Sequence, residues 1–305
     1  MSRRILLVGH PGRPEALEVA AALVTDLARH DIQVAGMPEE LQSFGIAEQP
    51  NVVVVDPRDP ADGCELVVVL GGDGTILRGA ELGRPSGVPL LGINLGHVGF
   101  LAEAERDDIH ITVDKIVERS WTVEERETLE VEVSLDGRAI WSSWALNEAT
   151  VEKAARERMV SVIVEIDGRP LSTWACDGVI MATPTGSTAY AFSAGGPVVW
   201  PGVAALLLVP ISAHALFARP LVLGHDAQIA VGLVPHGDGG GGVLWCDGRR
   251  TTDLPPGARI DVRRSDLPVR LARLTSAPFS GRLVAKFDLS VSGWRGTNPP
   301  RLGQE

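Results

Sequence analysis

The segment Glu65-Leu66-Val67-Val68-Val69-Leu70-Gly71-Gly72-Asp73-Gly74-Thr75 constrains this chain more than any other. Its first six residues make a short apolar run rich in β-branched side chains, as in a parallel strand covered on both faces. Ile76–Leu82 follows with helical spacing, so the glycines mark a strand-to-helix junction. Arg4–Gly9, Ile32–Ala35, Val52–Val55 and Val88–Ile93 read as further strands. Pro14–Arg29 reads as an amphipathic helix, and Ile109–Arg119 closes the unit with helical spacing. Strands alternating with helices imply a doubly wound parallel sheet, which takes its ligands at the carboxyl ends of its strands. Asp73 and Asn94-Leu95-Gly96-His97-Val98-Gly99-Phe100 both fall at such ends.

After Trp121 the rhythm changes. Leu129–Leu135 and Val160–Ile166 alternate apolar and polar residues, and each is followed by Asp-Gly: Asp136-Gly137 and Asp167-Gly168. Val243–Cys246 precedes a third pair, Asp247-Gly248. Asp-Gly between such runs is the strongest short hairpin signal. The chain of 305 residues is therefore read as an α/β domain over 1–118 and an antiparallel, β-rich domain over 119–277. Residues 278–305, with Lys286, Phe287 and Trp294, are expected to pack back on the first. Gly237–Gly242 reads as a surface loop, and His97 and His214 as structural histidines.

The glycine turn carries chemistry of its own. Gly71, Gly72 and Gly74 let backbone N–H groups approach phosphate oxygens at a helix N-terminus, whose dipole favours anions. Asp73 would repel a phosphate, but it fits a group that handles a metal ion or takes a proton from an attacking hydroxyl. The alternative is a left-handed turn with Asp73 capping the helix. No Gly-Lys-Ser/Thr ending is present, so this is not a Walker loop. A second junction, Thr183-Pro184-Thr185-Gly186-Ser187-Thr188-Ala189-Tyr190-Ala191-Phe192-Ser193, offers hydroxyls and N–H groups suited to a nucleotide, or else an ordinary Ser/Thr-capped turn. Asn147-Glu148 and Asp177-Gly178 supply the amide and carboxylates that paired sugar hydroxyls need.

Charge and cysteine use narrow the classes. A net charge of −11 argues against a general nucleic-acid or anionic-membrane binder. Cys64, Cys176 and Cys246 are odd in number and far apart, which fits a reducing cytoplasm better than a disulfide framework or a zinc site. No stretch reaches the roughly 18 apolar residues of a membrane span.

Taken together, Gly71–Thr75, Asn94–Leu101, Asn147-Glu148, Asp177-Gly178 and Thr183–Tyr190 resemble the NAD kinase family, in its order and at plausible spacings. The resemblance implies an α/β domain followed by an antiparallel β-sandwich-like domain. It implies transfer of the γ-phosphoryl of ATP, with polyphosphate as the alternative donor, to the 2′-hydroxyl of the adenosine ribose of NAD. Asp73 would be the general base, and Gly71, Gly72, Gly74 and Thr75 the donor-phosphate loop, with Mg²⁺ spreading the developing charge. Asn147 and Glu148 would hold ribose hydroxyls. Thr188, Ala189, Tyr190, Ala191, Phe192 and Ser193 would form the adenosine pocket with Phe100 near it, and Asp177 would contact the nicotinamide half. Arg78 and Arg158 would touch phosphates. Family members assemble as dimers or tetramers, so a homo-oligomer in the cytoplasm is expected.

Overall fold

The computed structural model describes residues 3–10, 12–96, 99–105, 108–155, 158–235, 241–275 and 278–291. The expectations for His97, for most of Gly237–Gly242 and for the chain beyond 291, Trp294 included, lie outside these residues. The chain divides into two compact units, Met1–Glu125 with Arg270–Glu305, and Arg126–Val269.

The first unit opens with β1 (Arg4–Gly9), α1 (Pro14–Ala28), β2 (Gln33–Gly36), α2 (Pro38–Ser43), β3 (Val52–Val54), β4 (Leu66–Leu70) and α3 (Asp73–Gly83). It continues through β5 (Leu90–Asn94), β6 (Ala104–Glu105), α4 (Ile109–Glu118) and β7 (Thr122–Arg126). The second unit holds β8 (Leu129–Leu135), β9 (Arg138–Ala145), β10 (Glu148–Lys153), β11 (Val160–Ile166), β12 (Arg169–Cys176) and β13 (Gly178–Ala182). A 3₁₀ turn over Thr185–Thr188 and the one-turn helix α5 (Tyr190–Ser193) precede β14 (Ala205–Ile211), β15 (Leu221–Gly224) and β16 (Ile229–Leu233). The unit ends with β17 (Gly242–Cys246), β18 (Arg250–Leu254) and β19 (Arg259–Arg264), after which β20 (Val269–Arg273) and α6 (Phe279–Phe287) return to the first unit.

In the first unit the sheet runs β3-β2-β1-β4-β5-β20-β7, with β6 on β5. β1 pairs in parallel with β2 and β4, and β5 in parallel with β4, β6 and β20. All five residues of β4 are buried. Leu66, Val68 and Leu70 join α1 and α4 in one apolar cluster, while Val69 on the opposite face lies against Gly79 of α3. Both faces are therefore covered, which is why β4 carries no polar alternation. This arrangement fixes α3 with its N-terminus at the carboxyl end of β4.

In the second unit two six-stranded antiparallel sheets, β15-β14-β13-β10-β17-β18 and β12-β11-β16-β19-β8-β9, enclose one core. Val131, Val162, Val231 and Ile260 of one sheet pack with Val151, Met181, Leu208 and Leu244 of the other. The Asp-Gly pairs are the hairpin turns: Asp136, Asp167 and Asp247 have φ of 50°, 52° and 55°, and the glycines after them 73°, 72° and 63°. Two consecutive positive φ values define the type I′ turn that matches strand twist. β13 and β14 are buried on their outer face too, where Ile180, Ala182, Leu207 and Val209 meet Ala191 and Val199. The segment after the 3₁₀ turn is thus anchored to this sheet. Among the described residues no helix is long and apolar enough to cross a membrane.

Candidate active site

In the first unit the glycine turn closes as the backbone leaves β4. Gly71 has φ +154°, and a Cβ there would strike the Thr75 side chain, so no other residue fits without strain. Gly72 caps α3 without a side-chain bond, and Asp73 is the first helical residue. The Asp73 carboxylate does not cap its own helix. Oδ2 accepts the Phe100 N–H at 3.1 Å and Oδ1 accepts the Leu101 N–H at 3.1 Å. Gly99 lies so close that a Cβ would collide with Oδ1. The capping alternative is therefore overturned: the carboxylate is fixed across the turn, and each oxygen keeps a lone pair for a hydroxyl proton.

Two further first-unit residues have partners that the sequence does not announce. Phe100 serves Asp73 through its backbone, while its ring is 7% exposed and packs on Phe279 and Phe287 of α6, each at a centroid distance of 5.8 Å. That ring is therefore turned toward α6. Arg78 is ion-paired with the buried Glu40, Nη1 to Oε1 at 2.7 Å. Burial pushes the Glu40 carboxyl up and Arg78 pulls it back. The Arg78 side chain stays about one-third exposed.

In the second unit Asn147-Glu148 is pinned from below by Asp247, a residue that sequence reasoning treats only as a turn. Its carboxylate accepts the N–H groups of Leu146 at 2.9 Å, Asn147 at 2.7 Å and Glu148 at 3.3 Å, and Arg250 Nη2 at 2.6 Å. Arg250 in turn lies over the Trp144 ring at 4.2 Å. Gly186 packs on the Asn147 carbonyl so closely that any Cβ would collide with it. Thr183 donates from its backbone N–H to the Asn147 carbonyl at 2.9 Å and from its hydroxyl to the Leu146 carbonyl at 2.5 Å. The two motifs, more than thirty residues apart in sequence, form one body.

Glu148 is the electrostatic centre of that body. Burial raises its carboxyl to about 8, the nearby Asp247 charge adds to the rise, and the Tyr190 backbone N–H opposes it. Burial raises the Asp247 carboxyl as well, but the N–H groups of Leu146, Asn147 and Glu148 and the Arg250 charge pull it back. Only the Tyr190 N–H opposes the rise at Glu148, so Glu148 is the better proton holder of the two. The Glu148 Oε2 atom is buried and has no partner among the described residues. A neutral carboxyl can both donate and accept, as a vicinal diol requires. Tyr190 feels Glu148, Glu152 and Asp177 together, after burial itself, all raising its hydroxyl pKa. Asp177 takes the Lys153 ammonium at 2.6 Å, and this bond holds its carboxyl below the usual range.

The Thr183–Ser193 segment splits in two. Thr183, Thr185 and Ser187 are buried, and the Ser187 hydroxyl bridges the Pro184 carbonyl at 2.7 Å and the Val199 backbone. These hydroxyls build the turn and do not offer themselves to a ligand. Thr188 and Ala189 are half-buried, and Tyr190, Phe192 and Ser193 are exposed. Ala191, expected in the pocket, is fully buried and points into the apolar cluster on β13 and β14. Arg158 is exposed in the connection from β10 to β11.

The first unit carries a glycine turn with a fixed carboxylate, and the second an amide–carboxyl pair packed on a hydroxyl-rich turn, groups of the kind that a phosphotransferase acting on a nucleotide uses. Residues 5–121 match the ATP-NAD kinase N-terminal domain and residues 146–274 the ATP-NAD kinase C-terminal domain. The chain is 57% identical over 294 residues to NAD kinase 2 of Streptomyces coelicolor, covering 96% of this chain and 97% of that one. It belongs to the NAD kinase family. The fold is similar to yeast NADH kinase complexed with NADH, with a TM-score of 0.86 at 25% identity over 95% of this chain and 89% of that one. An NAD kinase from Archaeoglobus fulgidus in complex with ATP is similar with a TM-score of 0.71 at 26% identity over 93% and 98%.

Proposed function

We propose that this chain phosphorylates NAD to NADP with ATP, and that Asp73 draws the proton from the 2′-hydroxyl of the adenosine ribose. The 2′-oxygen attacks the γ-phosphorus, the bond to the bridging oxygen breaks, and ADP leaves. The observation that carries this reading is the Asp73 carboxylate, held by two backbone N–H groups with lone pairs to spare. Such a base supplies roughly 10²–10⁴-fold of the rate. Gly71, Gly72, Gly74 and Thr75 take the donor phosphates at the N-terminus of α3, where the helix dipole favours them.

The acceptor is assigned to the second unit. Asn147 and protonated Glu148 hold ribose hydroxyls, and Thr188, Ala189, Tyr190, Phe192 and Ser193 receive the adenosine. Asp177 meets the nicotinamide half, and Arg78 and Arg158 meet phosphate oxygens. The donor enters as its Mg²⁺ complex. Bound there, Mg²⁺ neutralises charge on the transferring group. Polyphosphate is the alternative donor. Three buried free cysteines support a cytoplasmic protein, and exposed Trp200, Leu216 and Phe217 support a homodimer or homotetramer, which light scattering would test.

The test is incubation of purified protein with NAD, Mg²⁺ and either ATP or polyphosphate, with NADP read by an NADP-specific dehydrogenase. NADP formed with ATP supports the proposal. Absence of NADP with both donors sinks it.

A further inference from the structure

The loop that grips Asp73 is itself gripped from the other side. The peptide joining Phe100 to Leu101 gives its N–H to Asp73 Oδ1 at 3.1 Å and its C=O to Arg282 Nη1 at 2.9 Å. The same Nη1 donates to the Ala102 carbonyl at 3.0 Å. Arg273 Nη1 donates to the carbonyl between them, Leu101, at 3.2 Å. Three consecutive carbonyls therefore face guanidinium donors, while the N–H groups of residues 100 and 101 face the carboxylate.

The two arginines share one counter-ion. Glu103 Oε2 accepts Arg282 Nη2 at 2.5 Å and Arg273 Nη1 at 3.0 Å, with side chains 14%, 8% and 1% exposed for Arg282, Arg273 and Glu103. Thr275 adds its N–H and hydroxyl to Glu103 Oε1 at 3.0 and 2.8 Å. Phe279 and Phe287, on the same helix as Arg282, flank the Phe100 ring. Buried ion groups of this kind are poor sources of net stability. What this one does achieve is to lock a loop that has no regular secondary structure of its own.

We propose that Arg282 on α6 is a positioning residue for the phosphoryl transfer, holding the Phe100–Leu101 peptide so that its N–H aims at Asp73. The assignment rests on Asp73 being the base. A charged donor on a carbonyl also polarises that amide and strengthens the bond its N–H makes. Removing Arg282 frees the peptide to rotate and lets the carboxylate drift, whereas substrate binding by the second unit is untouched.

Arg282→Met and Arg282→Lys are measured beside wild type, and again in an Asp73→Asn background, with Tm as the check on folding. Arg282→Met is expected to lower kcat about tenfold, the equivalent of one charge-assisted bond, with KM for NAD and ATP within about twofold. Arg282→Lys keeps a cation for Glu103 but cannot bridge two carbonyls as a guanidinium does, so its kcat falls between the two and it carries the test if the Met variant does not fold. In the Asp73→Asn background the same changes should alter kcat by less than about twofold, because the group they position is gone. Equal losses in both backgrounds, or folded variants with wild-type kcat, would overturn the proposal. Full activity of Asp73→Asn alone would instead remove the base itself.

Discussion

Replacing Glu148 by glutamine should make the protein more stable, and increasingly so as pH rises. In the folded state the carboxyl titrates near 8, against 4.5 for an ordinary glutamate, because burial and the Asp247 charge oppose ionisation. The folded protein keeps a proton that the unfolded chain gives up above pH 4.5. Stability from that site is complete below pH 4.5, is lost steadily as pH rises to about 8, and is flat beyond. Each pH unit in the window costs about 1.4 kcal/mol, so the loss has an upper bound of about 5 kcal/mol. Glutamine is isosteric and does not titrate. The Tm of Glu148→Gln minus that of wild type should therefore widen between pH 5.5 and 8.5 by the equivalent of about 3 kcal/mol, roughly 6 °C or more. Scanning calorimetry of both proteins at both pH values reads this directly. A gap that stays constant or narrows refutes the reasoning. Because an amide both donates and accepts, NAD affinity should stay within about threefold at pH 7.

Gly99→Ala pushes a methyl group against Asp73 Oδ1 and should lower kcat by about 10²-fold, the cost of a misplaced reacting group; steady-state kinetics with Tm as control decides it. Asp247→Ala strands three backbone N–H groups, each costing about 1–3 kcal/mol, and takes an ion pair from Arg250, so calorimetry should show a collapse in Tm and titration a loss of NAD binding. Tyr190→Ala removes a 40% exposed ring and should weaken NAD roughly tenfold, a stacking contribution, as read by isothermal titration; unchanged affinity would dismiss the adenosine assignment.

The parts of this fold that are legible in the sequence are those whose physics is local. An all-buried β4 must be apolar throughout, and a type I′ turn needs two residues that tolerate positive φ, which Asp-Gly supplies. β7 shows why the rest is hidden. Thr122–Arg126 follows the change of rhythm near residue 120, yet it lies in the first sheet next to β20, so the first unit runs to Glu125, past residue 118. β20 itself pairs Leu271 with Leu90, a contact between distant segments that no local pattern announces. The site is similar. Residue types at Asp73, Asn147 and Glu148 point to their chemistry, but nothing in the motifs shows that the Phe100 ring turns to α6 or that Ala191 turns into an apolar cluster. Asp247 looks like any hairpin aspartate until its carboxylate is seen beneath Asn147-Glu148.

The role of Asp73 is tested most directly by comparing Asp73→Asn with wild type for both turnover and NAD affinity. Asparagine keeps the size of the side chain but cannot take a proton. If the carboxylate is the base, kcat falls roughly 10²–10⁴-fold while the Kd for NAD stays within a fewfold. A variant that turns over at the wild-type rate, or one that loses NAD binding in proportion to its activity, would contradict the mechanism.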